Sequence, residues 1–278
     1  MTVTAGASAT LPSLRDAIRA HGLDARKSLG QHFLLDPTIV ARIASLPGDL
    51  AGRHIVEIGP GPGGLTRALL ATSATSVDAV ELDQRAIPLL DELAIHYPGR
   101  LRITEADAVG LDATALCPAP RQIIANLPYN VGTPLLIGWL RQAASWEALT
   151  LMFQAEVAER ICAAPGDSAY GRLAVISQWC AECHVVMDVP PGAFSPPPKV
   201  HSAVVLIRPH AEQPAPALFA AMERVTALAF GQRRKMLRSS LKSAGGEALL
   251  GRAGIDPTRR AETLSVAEFA TLAALTAR

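Results

Sequence analysis

"RHIVEIGPGPGGLTRALLAT", residues 53–72, joins an apolar strand-like run to a helical pattern through a glycine-rich turn. Glycine lets the backbone approach a ligand closely, and the start of the following helix offers unpaired N–H groups. Gly59, Gly61 and Gly64 also satisfy the G-x-G-x-x-G pattern of dinucleotide-binding turns. The stretch therefore predicts a strand–turn–helix unit that holds a nucleotide-type cofactor, with a purely structural glycine turn as the alternative.

The same alternation of short apolar runs and helical patterns continues to about residue 155. Further strand-like runs are "SVDAVELD" (76–83), "LRITEAD" (101–107), "RQIIANLP" (121–128) and "ALTLMFQ" (148–154). This alternation predicts parallel strands with crossover helices, and hence an open, doubly wound α/β sheet. "CHVVMDVP" (183–190) and "HSAVVLIRP" (201–209) alternate in polarity like an antiparallel pair at the sheet edge.

The chain length of 278 residues suggests two domains. "RPHAEQPAP" (208–216) is typical of a linker, and the helical patterns beyond it predict a small all-α domain. We therefore expect a first domain over residues 1–210 and a second over residues 211–278. Near the N-terminus, Asp36 as an N-cap and Pro37 at the first helical position predict the start of a helix.

Composition narrows the class of protein further. No apolar run approaches the roughly 18 residues of a membrane span, and the N-terminus lacks the basic and apolar parts of a secretion signal. We therefore expect a cytoplasmic protein without a membrane partner, and we expect a monomer. The four cysteines are irregularly spaced, which argues against a disulfide framework. Cys180 and Cys183 form one C-x-x-C, but no second ligand pair stands nearby, so we predict no metal site.

Acidic residues at strand ends bear on the cofactor. Glu81 ends the second strand of the pattern, where an acid accepts hydrogen bonds from a ribose diol, as both NAD and S-adenosylmethionine require. Asp107 closes the third strand, where it can accept from the exocyclic amine of an adenine or simply cap the strand. Because ligands of open sheets gather at these carboxyl ends, the recurrence with Gly59 favours a bound cofactor. The fourth strand ends in Asn-Leu-Pro-Tyr, which does not suit a nicotinamide, so S-adenosylmethionine is favoured.

"NLPY", residues 126–129, predicts a clamp for a flipped base. The lone pair of an adenine amine is delocalised into the ring, so acceptors that orient the amine help more than a general base does. The side-chain oxygen of Asn126 and the carbonyl of Leu127 can both accept, and Pro128 stiffens the turn. Tyr129 can stack on the base, which is worth about 1–3 kcal/mol in single-strand binders. An ordinary turn with a packing tyrosine is the alternative.

"GQRRKMLRSSLK", residues 231–242, carries five basic residues and no acid. A solvated helix face usually alternates acids with bases, so an anionic partner competes with that interpretation. We predict a helix on which Arg234 and Arg238 share one face, with Arg233 and Lys235 at its sides. These four side chains are the candidate contacts to an anionic partner.

The chain resembles the ribosomal RNA adenine dimethyltransferases nearly end to end, because six stretches occur in that family's order. They are "LGQHFLLD" (29–36), "VEIGPGPGGLT" (56–66), "NLPYNVGTPLL" (126–136), "YGRLAVISQ" (170–178), "FSPPPKVHSAVV" (194–205) and "FGQRRKMLRSSL" (230–241). The resemblance implies a Rossmann-like methyltransferase sheet with a small helical domain. It also implies that the enzyme dimethylates the N6 amines of two adjacent adenosines near the 3′ end of 16S rRNA in the small ribosomal subunit. Four methyl transfers from S-adenosylmethionine and a role in small-subunit biogenesis follow from it.

The resemblance also assigns site residues. The residues that should surround S-adenosylmethionine are His32, Leu34, Gly59, Gly61, Glu81, Asp107, Ala108 and Asn126. Phe194 should flank the target base opposite Tyr129, so that one aromatic ring covers each face. Three positions depart from the family's usual residues: His32 replaces Asn, Gly132 replaces Ser and His201 replaces Asp.

Three other functions remain as alternatives. Antibiotic-resistance enzymes methylate an adenine of large-subunit rRNA with the same clamp, but they are strongly basic and carry Lys where this chain has Pro62, and the net charge here is only +1. A dehydrogenase rests on the glycine turn alone. A non-catalytic ribosome-assembly or transcription factor is the third alternative, and the intact Asn126–Tyr129 clamp argues against it.

Overall fold

A central seven-stranded sheet organises the molecule in a computed structural model that describes residues 11–26 and 30–277. The strands are β1 (Phe33–Leu34), β2 (His54–Ile58), β3 (Ser76–Glu81), β4 (Leu101–Glu105), β5 (Arg121–Asn126), β6 (Ala148–Gln154), β7 (Ala181–Val189), β8 (Phe194–Ser195) and β9 (Ser202–Pro209). The order across the large sheet is β4-β3-β2-β5-β6-β9-β7. Strands β2 to β6 are parallel, while β9 runs antiparallel to both β6 and β7. This topology confirms the doubly wound sheet and its antiparallel edge pair.

Helices cover both faces of the sheet and form the C-terminal part of the chain. They are α1 (Leu14–Ala20), α2 (Pro37–Ser45), α3 (Gly64–Leu70), α4 (Ile87–His96), α5 (Gly132–Leu140), α6 (Ala155–Cys162), α7 (Arg172–Cys180), α8 (Pro216–Gly231), α9 (Leu237–Ser240), α10 (Gly246–Ala253) and α11 (Val266–Thr276). None of the helices in the described part of the chain combines the length and the apolar character needed to cross a membrane.

Local sequence explains where two of these helices begin. The carboxylate of Asp36 accepts from the backbone N–H groups of Thr38 and Ile39 at 2.9 and 3.2 Å, which confirms the predicted N-cap of α2. At α11, Ser265 and Glu268 form a reciprocal capping box. In both cases a short polar side chain satisfies N–H groups that have no partner within the helix.

Two hydrophobic clusters lie on opposite faces of the sheet because successive strand residues point to opposite sides. In β2, Ile55 belongs to the cluster beneath α2 and α3, whereas Val56 belongs to the cluster beneath α5 and α7. In the central strand β5, Ile123 and Ile124 are both fully buried. Burial on both faces accounts for the continuous apolar runs of the parallel strands.

The C-terminal helices pack directly on the sheet domain. Phe219 of α8 lies in the same buried cluster as residues of α7. Glu223 of α8 accepts from Arg141 and Arg172 at 2.8 and 3.3 Å, and the hydroxyl of Tyr170 donates to the carbonyl of Leu264 at 2.9 Å. We call this set of contacts the α7–α8 seam. The predicted boundary between residues 210 and 211 falls in the connection between β9 and α8 and stays a prediction.

The helix predicted over the basic stretch is wrong for residues 232–236, although Arg238 does lie in a helix. Helix α8 ends at Gly231 and α9 begins at Leu237, so Arg233, Arg234 and Lys235 lie in a turn. The physical reason is a non-local pairing: the N–H groups of Leu237 and Arg238 donate to carbonyls of the 257–259 loop at 2.8 and 3.1 Å, which draws the chain away from the axis of α8.

Candidate active site

A cavity of about 280 Å³ opens at the carboxyl ends of the parallel strands. Its lining comes from segments 30–33, 58–61, 80–82, 106–109 and 126–131, with Leu135 of α5. Four of these segments follow β2, β3, β4 and β5, where the loops of a parallel sheet converge. Its volume is close to the lower end of the range of small-molecule sites, roughly 300–1,000 Å³.

Two glycines let the turn after β2 approach its neighbours. A Cβ atom on Gly59 would lie 3.4 Å from Cδ of Pro128, and one on Gly61 would lie 3.4 Å from the Phe33 ring. Both glycines also have positive φ angles, +66° and +53°, which other residues rarely adopt. The glycine turn therefore packs against the Asn-Leu-Pro-Tyr turn on one side and against the N-terminal segment on the other.

Glu81 is buried at the floor of the cavity and is held by three backbone donors. The N–H of Gly61 donates to Oε2 at 2.8 Å, and those of Leu82 and Asp83 donate to Oε1 at 2.9 and 2.8 Å. Burial raises the pKa of the Glu81 carboxyl, and the three donors oppose that rise. Among the described residues only Gly61 donates to Oε2, so this oxygen retains a lone pair for a hydroxyl in the cavity.

Asp107 and Ala108 lie on the cavity wall after β4. The Asp107 carboxylate is exposed, and its Oδ1 accepts from the N–H of Val109 at 2.8 Å. Within residues 11–26 and 30–277, Oδ2 has no hydrogen-bond partner from the protein, so it is available to a ligand amine. Leu82 and Val109, also on the wall, are 55% and 49% exposed. Two exposed apolar side chains beside the available Oδ2 suit a flat ring that carries an amino group.

The Asn-Leu-Pro-Tyr turn forms the opposite wall. Asn126 ends β5 and is partly exposed to the cavity, while Leu127 is buried beneath it. The Tyr129 hydroxyl is hydrogen-bonded to Oγ of Ser202 at 2.7 Å. Burial raises the pKa of Tyr129, so its hydroxyl stays neutral at physiological pH. The His32 ring lies beside it, with 5.6 Å between the ring centroids.

Leu34 and Phe194 lie outside the cavity lining. They face each other as a residue pair of the two-stranded sheet β1–β8, and they are 4% and 5% exposed. The carbonyl oxygen of Leu34 approaches α3 so closely that a Cβ on Gly64 would lie 2.6 Å from it. The sheet β1–β8 thus fixes the N-terminal segment over the glycine turn, and any role of these two side chains toward a ligand stays a prediction.

The four basic candidates have different surroundings, and none lines the cavity. Arg233 donates to the carbonyl of Ser168 at 2.7 Å, and Arg238 lies 3.7 Å from Glu247. Arg234 and Lys235 are exposed, and neither side chain has a hydrogen bond or ion pair with any residue that the structure describes. Arg233 therefore braces the turn, while Arg234 and Lys235 are free to meet an anion.

Cys180 is buried and Cys183 is partly buried, and both are free thiols. Burial raises the pKa of the Cys180 thiol to about 12 and also raises that of Cys183. Among the described residues, no group of three or more His, Cys, Asp or Glu side chains could hold a metal ion.

Sequence reasoning missed several cavity residues. The lining includes Gln31 and Phe33 from the N-terminal segment, and the apolar pair Leu82 and Val109. Gln31 donates to Asp83 at 2.9 Å, which ties this segment to the loop after β3. Leu82 and Val109 could have been predicted as lining residues, because Leu82 directly follows Glu81 and Val109 lies two residues after Asp107.

Sheet topology and cavity together define a class: open α/β folds with a cavity at the carboxyl ends of parallel strands and an Asn-Leu-Pro-Tyr turn in its wall. The sequence pattern of the family described as "Ribosomal RNA adenine dimethylase" matches residues 22–278. The chain belongs to this family of methyltransferases.

Individual relatives extend this result. "Ribosomal RNA small subunit methyltransferase A" of Gluconobacter oxydans is 76% identical over 266 residues, which cover 96% of this chain and 88% of that protein. The protein of the same description from Agrobacterium fabrum is 58% identical over 268 residues, covering 95% and 97%. Among solved structures, a dimethyladenosine transferase from Plasmodium falciparum has a TM-score of 0.72 at 25% identity, covering 87% of this chain and 96% of that one. The 23S rRNA methyltransferase ErmE has a TM-score of 0.66 at 26% identity, covering 88% and 100%.

Proposed function

We propose that this protein dimethylates the N6 amines of two adjacent adenosines near the 3′ end of 16S rRNA in the small ribosomal subunit, with S-adenosylmethionine as the methyl donor. The observation that carries the proposal is the position of the Asn-Leu-Pro-Tyr turn, which forms one wall of the cavity while Pro128 packs on Gly59. Relatives at 76% and 58% identity carry the small-subunit description. A ribosomal substrate supports a cytoplasmic location, and we further propose that the enzyme acts as a monomer with a part in small-subunit biogenesis.

The cavity residues fit S-adenosylmethionine. Glu81 would accept from the ribose hydroxyls through its remaining lone pairs, and Oδ2 of Asp107 would accept from the adenine amine. Leu82 and Val109 would cover the faces of the adenine ring, beside Ala108. The segment around His32 and the turn at Gly59 and Gly61 would enclose the methionine part. When bound, the cofactor supplies an electrophilic methyl group on a sulfonium.

Orientation of the target amine is the task of the turn. The amide oxygen of Asn126 and the carbonyl of Leu127 accept from the two N–H groups of the amine, which directs its lone pair at the methyl group. Pro128 has no N–H to compete for these acceptors. Tyr129 supports the base by stacking. Fixing the reacting atoms in this way lowers the barrier without a general base.

Phe194 is assigned to the second face of the base, and its placement sets a condition. Its side chain is 5% exposed and packs within the cluster beneath α2 and α3. Contact with a base therefore requires the 194–196 segment to shift when RNA binds.

Basic residues of the C-terminal part would position the rRNA. Arg234 and Lys235 lie exposed in the turn before α9, where they can neutralise phosphates without reading sequence. Arg238 forms an ion pair with Glu247, and Arg233 donates a hydrogen bond to the carbonyl of Ser168. We assign the larger phosphate contribution to Arg234 and Lys235 and a bracing role to Arg233.

Labelled-methyl transfer tests the function. The protein is incubated with labelled S-adenosylmethionine and either unmethylated small subunits or large subunits, and the modified bases are mapped. We expect two labelled adjacent adenosines in 16S rRNA and none in 23S rRNA. Label in 23S rRNA would support the antibiotic-resistance activity instead.

The cofactor is tested separately by thermal denaturation. S-adenosylmethionine should raise the melting temperature, because it binds the folded state alone. Stabilisation by NAD without any effect of S-adenosylmethionine would overturn the cofactor assignment.

A further inference from the structure

Tyr129 is tethered at its tip by a buried serine. The hydroxyl oxygens of Tyr129 and Ser202 lie 2.7 Å apart, and either can donate. Ser202 is fully buried, whereas Tyr129 is half-buried at the cavity. Ser202 begins β9 and pairs with Gln154 of β6 and with Val189 of β7, so strands flank it on both sides. The sheet therefore holds the backbone of Ser202 in place, and the buried Oγ is hydrogen-bonded to the tyrosine hydroxyl.

A second contact from the same part of the chain holds the neighbouring ring. The Nδ1–H of His32 donates to the carbonyl of Pro196 at 2.7 Å, and the His32 and Tyr129 rings lie 5.6 Å apart with a tilt of 31°. Pro196 directly follows β8 and Ser202 begins β9, so the two residues stand at the two ends of the connection between these strands. This connection thus fixes two adjacent rings at the wall of the cavity.

The orientation of a tyrosine ring needs such a tether, because its χ2 torsion joins sp³ and sp² carbons and has a broad, two-fold energy profile. Staggered rotamers alone leave the ring plane loosely defined. The plane matters because a stacked base adopts it, and the lone pair of the base's amine lies perpendicular to that plane. A tilt of the tyrosine ring therefore turns the lone pair away from the methyl group.

We infer that Ser202 is a positioning residue for methyl transfer, which it serves by fixing the ring plane of Tyr129 through the hydroxyl pair. This inference rests on the proposed function, since it takes an adenine as the stacking partner. Ser202 touches neither substrate nor cofactor in this scheme, and it acts through the tyrosine alone.

A double-mutant cycle tests the inference. Ser202→Ala, Tyr129→Phe and the double variant are compared in single-turnover methyl transfer at saturating S-adenosylmethionine and small subunits. Loss of one neutral hydrogen bond predicts a rate decrease of about three- to tenfold in each single variant. The double variant should be no slower than the slower single variant, because both changes remove the same bond. The dissociation constant of S-adenosylmethionine should stay unchanged.

Ser177→Ala is the matched control. Ser177 is also fully buried, and its hydroxyl has no hydrogen-bond partner among the described residues. We expect this variant to keep the wild-type rate. Multiplicative losses in the cycle, or an unchanged rate in Ser202→Ala, would overturn the positioning role. Should Ser202→Ala not fold, a wild-type rate in Tyr129→Phe would overturn it as well.

A readout without substrate separates this inference from the proposed function. The chain has three tyrosines, so a protein with ¹³C-labelled tyrosine rings gives few NMR signals, and the Tyr129 signals are identified by their loss in Tyr129→Phe. Ser202→Ala should shift the Tyr129 Cζ resonance and leave those of the other two tyrosines in place. An unmoved resonance would overturn the tether even if the enzyme methylates small subunits. If the resonance moves but the wild-type protein does not methylate small subunits, the hydrogen bond between Ser202 and Tyr129 is supported and the proposed function is rejected.

Discussion

Glu57 should make the protein less stable as the pH rises from 5 to 7. This glutamate of β2 is 1% exposed, and its Oε2 has no hydrogen-bond partner within the described residues. Burial raises its pKa from the ordinary value of 4.5 to about 8, and the nearby Glu81 adds to the rise. The folded protein therefore keeps a proton on this carboxyl that the unfolded chain releases above pH 4.5.

The sign and size of the effect follow from linkage. A raised folded-state pKa gives stability that is fully present below the unfolded pKa and is lost as the pH rises towards the folded pKa. Each pH unit in that window costs about 1.4 kcal/mol, so the loss from pH 5 to pH 7 is about 3 kcal/mol. The Glu57→Gln variant has no proton to release at this position, so it escapes this loss. The free energy of unfolding of the variant minus that of the wild type should therefore rise by about 3 kcal/mol between pH 5 and pH 7.

Urea denaturation of both proteins at pH 5, 6 and 7 measures this difference, and any pH-independent effect of the amide cancels. Glu147→Gln is a matched control, because the Arg53 guanidinium lowers the pKa of Glu147. Its contribution is lost only as the pH falls below the ordinary glutamate range, so the control should show no such gain between pH 5 and 7. A difference between wild type and Glu57→Gln that stays constant across the three pH values would show that Glu57 is ionised in the folded state and would refute the reasoning.

Three further predictions concern packing, catalysis and RNA binding. Gly64→Ala should lower the free energy of unfolding by about 1–3 kcal/mol, because its Cβ would lie 2.6 Å from a backbone oxygen. Gly138→Ala, in a helix with open space around it, should raise that free energy by about 1 kcal/mol, and equal urea midpoints for the two variants would contradict this. Asn126→Ala should abolish methyl transfer to small subunits while calorimetry shows S-adenosylmethionine affinity within a few-fold of wild type. Replacing Arg234 and Lys235 together with Ala should flatten the salt dependence of subunit binding by up to about 0.9 log units for each lost phosphate contact, and an unchanged slope in filter binding would remove them from the interface.

The parallel sheet could be predicted from the sequence because its signals are local. Strands buried on both faces need uninterrupted apolar residues, and a run such as Ile123–Ile124–Ala125 is visible without any knowledge of its neighbours. The glycine turn and the strand-end acids are likewise defined by their position along the chain. Topology then brings them to one edge, which is why most of the predicted cofactor residues line one cavity.

The features that the sequence did not reveal depend on distant partners. Strands β1 and β8 are two residues long, too short for any periodicity, and each exists because the other is beside it. Helices α6 and α7 were not predicted from the sequence. The basic stretch was predicted as one helix from its local pattern, whereas the N–H groups of Leu237 and Arg238 pair with the 257–259 loop.

Side-chain direction was a further limit at the site. Leu34 directly follows the lining residue Phe33 in the chain, yet Leu34 is buried and pairs with Phe194 in the β1–β8 sheet. Adjacent residues of a strand point to opposite sides, so an error of one residue exchanges a lining residue for a core residue.

The α7–α8 seam has a consequence for how such enzymes can be recombined. Arg141 and Arg172 converge on Glu223, and Tyr170 reaches across to Leu264, so each half supplies partners that the other half needs. A chimera that exchanges the C-terminal helices between relatives would inherit one side of every such pair. An exchange of the C-terminal helices between relatives therefore has to include the residues on both sides of the seam.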